Sequence, residues 1–142
     1  FRRNAINQLK MLGCDVRCLE STSSYHQWLV WLRTQRVFLH DEGQKWMLDG
    51  KSVDRFAAVN KDVEIAAQGC FVLRDSGADI ELTNYGLDQI PCIMTFDSPE
   101  HCVQLACEID NMDPSRADDM ITQSVEFIRG MKGWNDMKGI LK

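Results

Sequence analysis

The spacing of apolar residues changes several times along this chain, and each change predicts an element. Tyr25, Trp28, Leu29 and Leu32 recur at helical spacing. Val30 and Trp31 widen the stripe, so this helix needs cover on more than one side. The hydroxyls of Ser21, Thr22, Ser23 and Ser24 are suited to cap its start, and Arg33 and Arg36 suit the negative pole at its end. Val37, Phe38 and Leu39 follow as a short buried strand. Upstream, Ala5, Ile6, Leu9 and Leu12 predict a helix over Arg2 to Leu12 that Gly13 terminates in the left-handed conformation. Cys14 to Leu19 then alternates as a strand. Helix, strand, helix and strand in succession predict an α/β unit in which the two strands lie parallel and the aromatic helix is the right-handed crossover.

From Asp41 the rhythm shortens. Gln44 to Leu48 and Lys51 to Val53 flank Asp49-Gly50, a dipeptide that suits a tight hairpin turn; a competing reading makes Ser52 the cap of a short helix through Asp54, Phe56, Ala57 and Val59. Asp62 to Ala67 fits either helix or strand, and Gly69 marks a break. Cys70 to Arg74 and Ile80 to Asn84 read as two strands of a hairpin around residues 75–79, and Ile90 to Phe96 as a third strand with Pro91 near its start. Ser98, Pro99 and Glu100 announce a helix to about Asn111 that buries Val103, Ala106 and Ile109. Asp113-Pro114 repeats the device for a helix to about Arg129, with Met120, Ile121, Val125 and Ile128 inward. The expected class is α/β (α+β): a single mixed sheet with an N-terminal helix-strand-helix-strand unit, a central antiparallel meander and two or three C-terminal helices. There is no internal repeat or linker, so residues 1–142 are expected to form one domain; beginning at Phe1 without Met, they fit a fragment of a longer chain.

Composition narrows the class without naming a function. At 142 residues, 44% apolar and 26% charged, the chain is long enough to bury roughly two-thirds of its unfolded surface. It contains nothing near the roughly 18 consecutive apolar residues of a membrane span, so a soluble protein is expected. Six cysteines, at 14, 18, 70, 92, 102 and 107, lie within apolar runs, where reduced thiols serve as small core residues. That placement points to a reducing, cytoplasmic compartment. Charge is divided: residues 1–60 hold nine Lys and Arg against six Asp and Glu, a net of +3, while residues 61–142 hold seven against fifteen, a net of −8, together the −5 of the whole chain.

Candidate chemistry is sparse. His26, His40 and His101 are scattered and no C-x-x-C occurs, so neither a metal nor a cofactor is expected; the acids around Asp110, Asn111 and Asp113 lack the spacing of a calcium loop. No G-x-S-x-G nucleophile elbow is present, and Gly13 and Gly69 stand alone where a phosphate cradle needs a glycine cluster. Asp75, Asp79 and Glu81 surround the expected 75–79 hairpin and, with Lys51 or Lys61, imitate a nuclease-type acid and lysine cluster. Arg2, Arg3, Lys10, Arg17, Arg33 and Arg36, with Trp28 or Trp31 as stacking platforms, are the candidates for nucleic acid. Met131, Trp134, Met137 and Ile140 recur every three residues in the tail, edged by lysines.

The favoured reading is a non-enzymatic macromolecule-binding protein of inhibitor, immunity or adaptor type, whose acidic C-terminal surface meets a protein partner with a basic surface. Glu108, Asp110, Asp113, Asp118, Asp119 and Trp134 are its expected partner-binding residues. Glu108 and Asp110 stand out because they lie near a helix C-terminus, where negative charge is unfavourable. The alternative is a nucleic-acid-binding or nucleic-acid-processing enzyme or subunit that uses the N-terminal basic residues and the Asp/Glu/Lys cluster.

Overall fold

The computed structural model describes residues 2–17, 24–40, 46–48, 51–53, 59–76 and 79–131. Its centre is a three-stranded parallel sheet, β1 (Val37–His40), β4 (Phe71–Asp75) and β5 (Ile93–Phe96), in the order β1-β4-β5. A separate antiparallel pair joins β2 (Trp46–Leu48) to β3 (Lys51–Val53), as expected for these two runs, while the Asp49-Gly50 turn lies outside the described residues. The helices are α1 (Arg2–Met11), α2 (Tyr25–Leu32), α3 (Val59–Ala67), α4 (Asp79–Asn84), α5 (Pro99–Asp110) and α6 (Pro114–Gly130), and a 3-10 turn spans Leu87–Gln89.

The expected α/β class therefore holds, but the antiparallel meander does not. The chain between β4 and β5 forms α4 and the 3-10 turn, so residues Ile80 to Asn84 are helical and no hairpin surrounds residues 75–79. Parallel neighbours require such a crossover, because the chain has to return to the sheet's starting edge before the next strand can begin. A run as short as Ile-Glu-Leu-Thr-Asn has no period that separates strand from helix. Phe71, Val72, Leu73 and Arg74 are all buried, so β4 is covered on both faces in the manner of a parallel strand. Cys14 to Arg17, expected to open a strand, is irregular, and β1 takes β4 as its parallel partner. Cys18 and Leu19 fall outside the described residues, as do Asp54, Phe56 and Ala57 of the competing helix; its expected cap, Ser52, is instead paired with Met47 in β3, and Val59 opens α3.

The helix boundaries follow local chemistry. Gly13, at φ +82°, closes α1 as the Leu9 carbonyl accepts the Cys14 amide at 3.0 Å. Ser24 accepts from the Gln27 amide to start α2, and Ser98 accepts from the His101 amide to start α5, with Pro99 at the first helical position. Asp113 caps α6 through the amides of Ser115 and Arg116. Gly69, at φ +84°, ends the turn after α3 and releases the chain into β4.

The core joins Leu32, Ile65, Ala66, Phe71, Val72, Leu73, Phe96, Ile109 and Ile128 around the sheet. Helix α3 packs on β4 and carries α6, while α5 packs on β4 and β5 and carries α1. Cys70, Cys92 and Cys102 are fully buried, and the Cys70 thiol donates to the Leu32 carbonyl at 2.9 Å. Of the residues expected to face inward, Val103, Ile109 and Ile128 are buried, whereas Ala106, Met120, Ile121 and Val125 are half-buried. The aromatic helix is less enclosed than its composition suggests. Tyr25 and Val30 are exposed, and Trp28 and Trp31 are half-buried.

Candidate functional site

Three strands end side by side at the carboxyl edge of the sheet. His40 of β1 is in register with Arg74 of β4, which is in register with Thr95 of β5. Register partners in neighbouring parallel strands project to the same face, so these three side chains form a row across it. Asp62 descends onto the row from the first turn of α3, on the helix face it shares with Ile65 and Ala66; all three are 0% exposed.

Asp62 is shared between two cation-forming groups. Its Oδ1 meets His40 Nδ1 in a short hydrogen bond, and its Oδ2 lies 3.6 Å from Arg74 Nε. Arg74 is only 1% exposed, whereas the His40 side chain retains 12%. The positive end of the α3 dipole adds to the stabilisation of the carboxylate. Buried charge is costly unless it has an opposite charge beside it, and Asp62 supplies that charge to Arg74 across 3.6 Å, an ion-pair separation longer than a hydrogen bond. The carboxylate also fixes the orientation of the imidazole, because one ring nitrogen is committed to Asp62.

Beside Arg74 on the same face, Ile93 and Thr95 line a half-open depression of about 260 Å³ with Leu82 and Thr83 of α4 and Asp88 of the 3-10 turn. The edge therefore combines a partly exposed, oriented imidazole, a threonine hydroxyl and an adjoining depression, with the Arg74 guanidinium buried behind them. Among the described residues, no group of three His, Cys, Asp or Glu side chains is placed to hold a metal ion. Sequence reading missed this site. The available signal was Arg74, a charge within an otherwise apolar strand, together with His40 at the end of another strand.

The acids expected to form a binding surface lie elsewhere, around the turn between α5 and α6. Glu108, Asp110, Asp113, Asp118 and Asp119 are all exposed there. Glu108 accepts from Gln104 Nε2 at 2.9 Å, and Asp113 is committed to capping. Arg36 Nη2 donates to the Ile109 carbonyl at 2.8 Å, which brings positive charge to the α5 C-terminus. That contact offsets part of the unfavourable placement of Glu108 and Asp110. Trp134 and the rest of the tail stripe beyond Met131 lie outside the described residues.

The other candidates are dispersed. Asp75 ends β4, while Asp79 and Glu81 belong to α4 and not to a hairpin tip. Lys61 is exposed on α3, and Lys51 belongs to β3. Among the basic residues, Arg17 pairs with Asp15 at 2.7 Å, Arg33 donates to Gln68 at 2.9 Å and Arg36 serves α5. Trp28 stacks on Tyr25, and Trp31 packs edge-on to Phe38, so both indoles have neighbours within the fold. Among the described residues no helix is long and apolar enough to cross a membrane. Comparisons with known protein families, curated proteins and solved structures give no match.

Proposed function

We propose that the protein binds a small anionic ligand at the carboxyl edge of its parallel sheet. The observation that carries this reading is the buried His40–Asp62–Arg74 set in line with Thr95. Open α/β sheets take ligands in the crevice outside the carboxyl ends of their strands, where loops converge and the strands themselves are rigid. The oriented, partly exposed His40 suits an oxyanion, with the Thr95 hydroxyl as a further donor, the buried Arg74 charge behind them and the neighbouring depression as room for the rest of the molecule. The test is thermal unfolding of the wild type, His40→Gln and Thr95→Val against a panel of phosphate esters and of di- and tricarboxylates. At least one compound is expected to raise the wild-type Tm in a dose-dependent way, with a smaller rise in both variants. No stabilising compound, or equal stabilisation of all three proteins, refutes the reading.

A second reading is favoured by a separate observation, the exposure of five carboxylates around the α5–α6 turn. In this reading Glu108, Asp110, Asp113, Asp118 and Asp119, with Trp134, dock a protein partner with a basic surface, and the chain acts as an inhibitor or adaptor. Complementary charge of this kind accelerates association more than it strengthens the final complex. Replacing Glu108 and Asp110 with Lys is expected to leave the fold intact, slow association with the native partner and weaken its salt dependence. Unchanged association kinetics eliminate this surface.

A further inference from the structure

The depression beside Arg74 is walled by two buried apolar residues, Leu82 and Ile93, and carries three polar side chains, those of Thr83, Asp88 and Thr95. Three elements supply them: α4 gives Leu82 and Thr83, the 3-10 turn gives Asp88, and one face of β5 gives Ile93 and Thr95. The left-handed Gly86, at φ +68°, allows the 3-10 turn to start so soon after α4. Ser98, Asp113 and Ser124 are spent on helix caps or an interior contact. By contrast, among the described residues no hydrogen bond or ion pair of the fold engages the side chains of Thr83, Asp88 and Thr95. An acid at the start of a helix is favoured by the helix dipole, but a turn of three residues has little dipole to offer Asp88.

Given an anion at the carboxyl edge, as proposed above, we infer that it is a sugar phosphate, a phosphate monoester whose hydroxylated carbon chain is recognised by Asp88. β4 separates β1 from β5 by roughly 9.5 Å in all, so a phosphoryl group over Arg74 lies between His40 and Thr95. The carbon chain then enters the depression. There the Asp88 carboxylate accepts hydrogen bonds from neighbouring ligand hydroxyls, and the threonine hydroxyls donate or accept. Leu82 and Ile93 cover the carbon-bound hydrogens. The volume of about 260 Å³ falls just under the roughly 300–1,000 Å³ of pockets for drug-sized molecules, which suits a single sugar and not a dinucleotide. The same carboxylate repels a second negative charge, so a tricarboxylate anchored beside His40 meets Asp88 with its other end.

The test is isothermal titration calorimetry of the full chain and of Asp88→Ala with four probes: ribose 5-phosphate, propyl phosphate, phosphoethanolamine and citrate. In the wild type, ribose 5-phosphate is expected to bind about 10-fold or more tightly than propyl phosphate, which offers the same phosphoryl group without hydroxyls. Asp88 is exposed, so Asp88→Ala is expected to leave the unfolding midpoint in place. In that variant the ratio of the two dissociation constants should fall below about 3, and citrate should bind more tightly than to the wild type. Equal affinity of the wild type for ribose 5-phosphate and propyl phosphate overturns the inference and leaves the anion site standing. So does a ratio that Asp88→Ala does not change, or tightest binding of citrate or phosphoethanolamine to the wild type. Failure of all four probes to bind removes the anion site and the sugar phosphate with it.

Discussion

Asp62→Asn removes one negative charge from a fully buried position while keeping the shape of the side chain, which makes it the sharpest probe of the triad. In the wild type, Asp62 faces Arg74 Nε at 3.6 Å and holds the His40 ring through its other oxygen. At that separation the Coulomb attraction is about 4–5 kcal/mol for an effective dielectric of about 20. Desolvation of both groups offsets part of it, but the variant does not recover that cost, because Arg74 remains at 1% exposure without the carboxylate charge. The expected loss is about 3–4 kcal/mol, a large share of the roughly 5–15 kcal/mol by which such domains are stable. In urea unfolding followed by circular dichroism, with a slope of about 2 kcal/mol per molar, the midpoint should fall by about 1.5–2 M. Adding Arg74→Met to Asp62→Asn is expected to return at least half of the loss, since both members of the ion pair are then gone. The resulting coupling energy isolates the charge interaction from the hydrogen bond to His40. A loss below about 1 kcal/mol for Asp62→Asn, or a double variant whose loss equals the sum of the singles, refutes the claim that the pair is energetically coupled.

Two further outcomes test other parts of the interior. The Ser124 hydroxyl accepts the Cys92 amide at 3.0 Å and donates to the Met120 carbonyl at 2.7 Å, tying α6 to the start of β5; Ser124→Ala leaves a buried amide without that acceptor and is expected to cost about 1–3 kcal/mol by denaturant midpoint. Burial, then the nearby Cys92 thiol, push the Cys70 thiol up to about 11 from an ordinary 9.0. A raised folded-state pKa contributes stability that is intact below pH 9.0 and declines as pH rises through about 11, so Cys70→Ala is expected to flatten the stability profile across that alkaline window. An unchanged slope between wild type and variant contradicts this assignment.

Elements with strong boundary chemistry were legible in the sequence. Ser98-Pro99 and Asp113-Pro114 located the starts of α5 and α6, because a capping oxygen followed by proline acts within a few residues and needs no tertiary context. Strand partnership was not legible in the same way. The Phe71–Asp75 and Ile93–Phe96 runs were recognisable as strands, but their parallel pairing depends on what lies between them. That decision rested on Asp79–Asn84, a single helical turn and a half whose residues suit either state. The near-continuous burial of Phe71 to Arg74 matches the pattern of a strand covered on two faces, which a meander with one wet face would not produce. The carboxyl-edge site escaped notice for the same reason. His40, Asp62, Arg74 and Thr95 are scattered in sequence and meet only once the parallel register is fixed. The acidic turn, by contrast, was visible as composition, and the moderating contact from Arg36 to Ile109 crosses between distant parts of the chain.

The strand order β1-β4-β5 also has a consequence for how the protein is made. Val37 pairs with Phe71 and Val72 with Ile93, so neither contact can form as the earlier strand leaves the ribosome. The first strand waits for residue 75, with Phe38 and Leu39 in search of cover, and β4 then presents one open edge until residue 96 has been added. Pairing over such separations makes folding slow relative to local helix formation. A nascent chain stalled between those two points carries an apolar strand with unpaired amides and carbonyls, the kind of edge on which another copy can assemble. Truncations ending between residues 76 and 92 should therefore be the most aggregation-prone products of this sequence, more so than shorter pieces that lack β4 altogether.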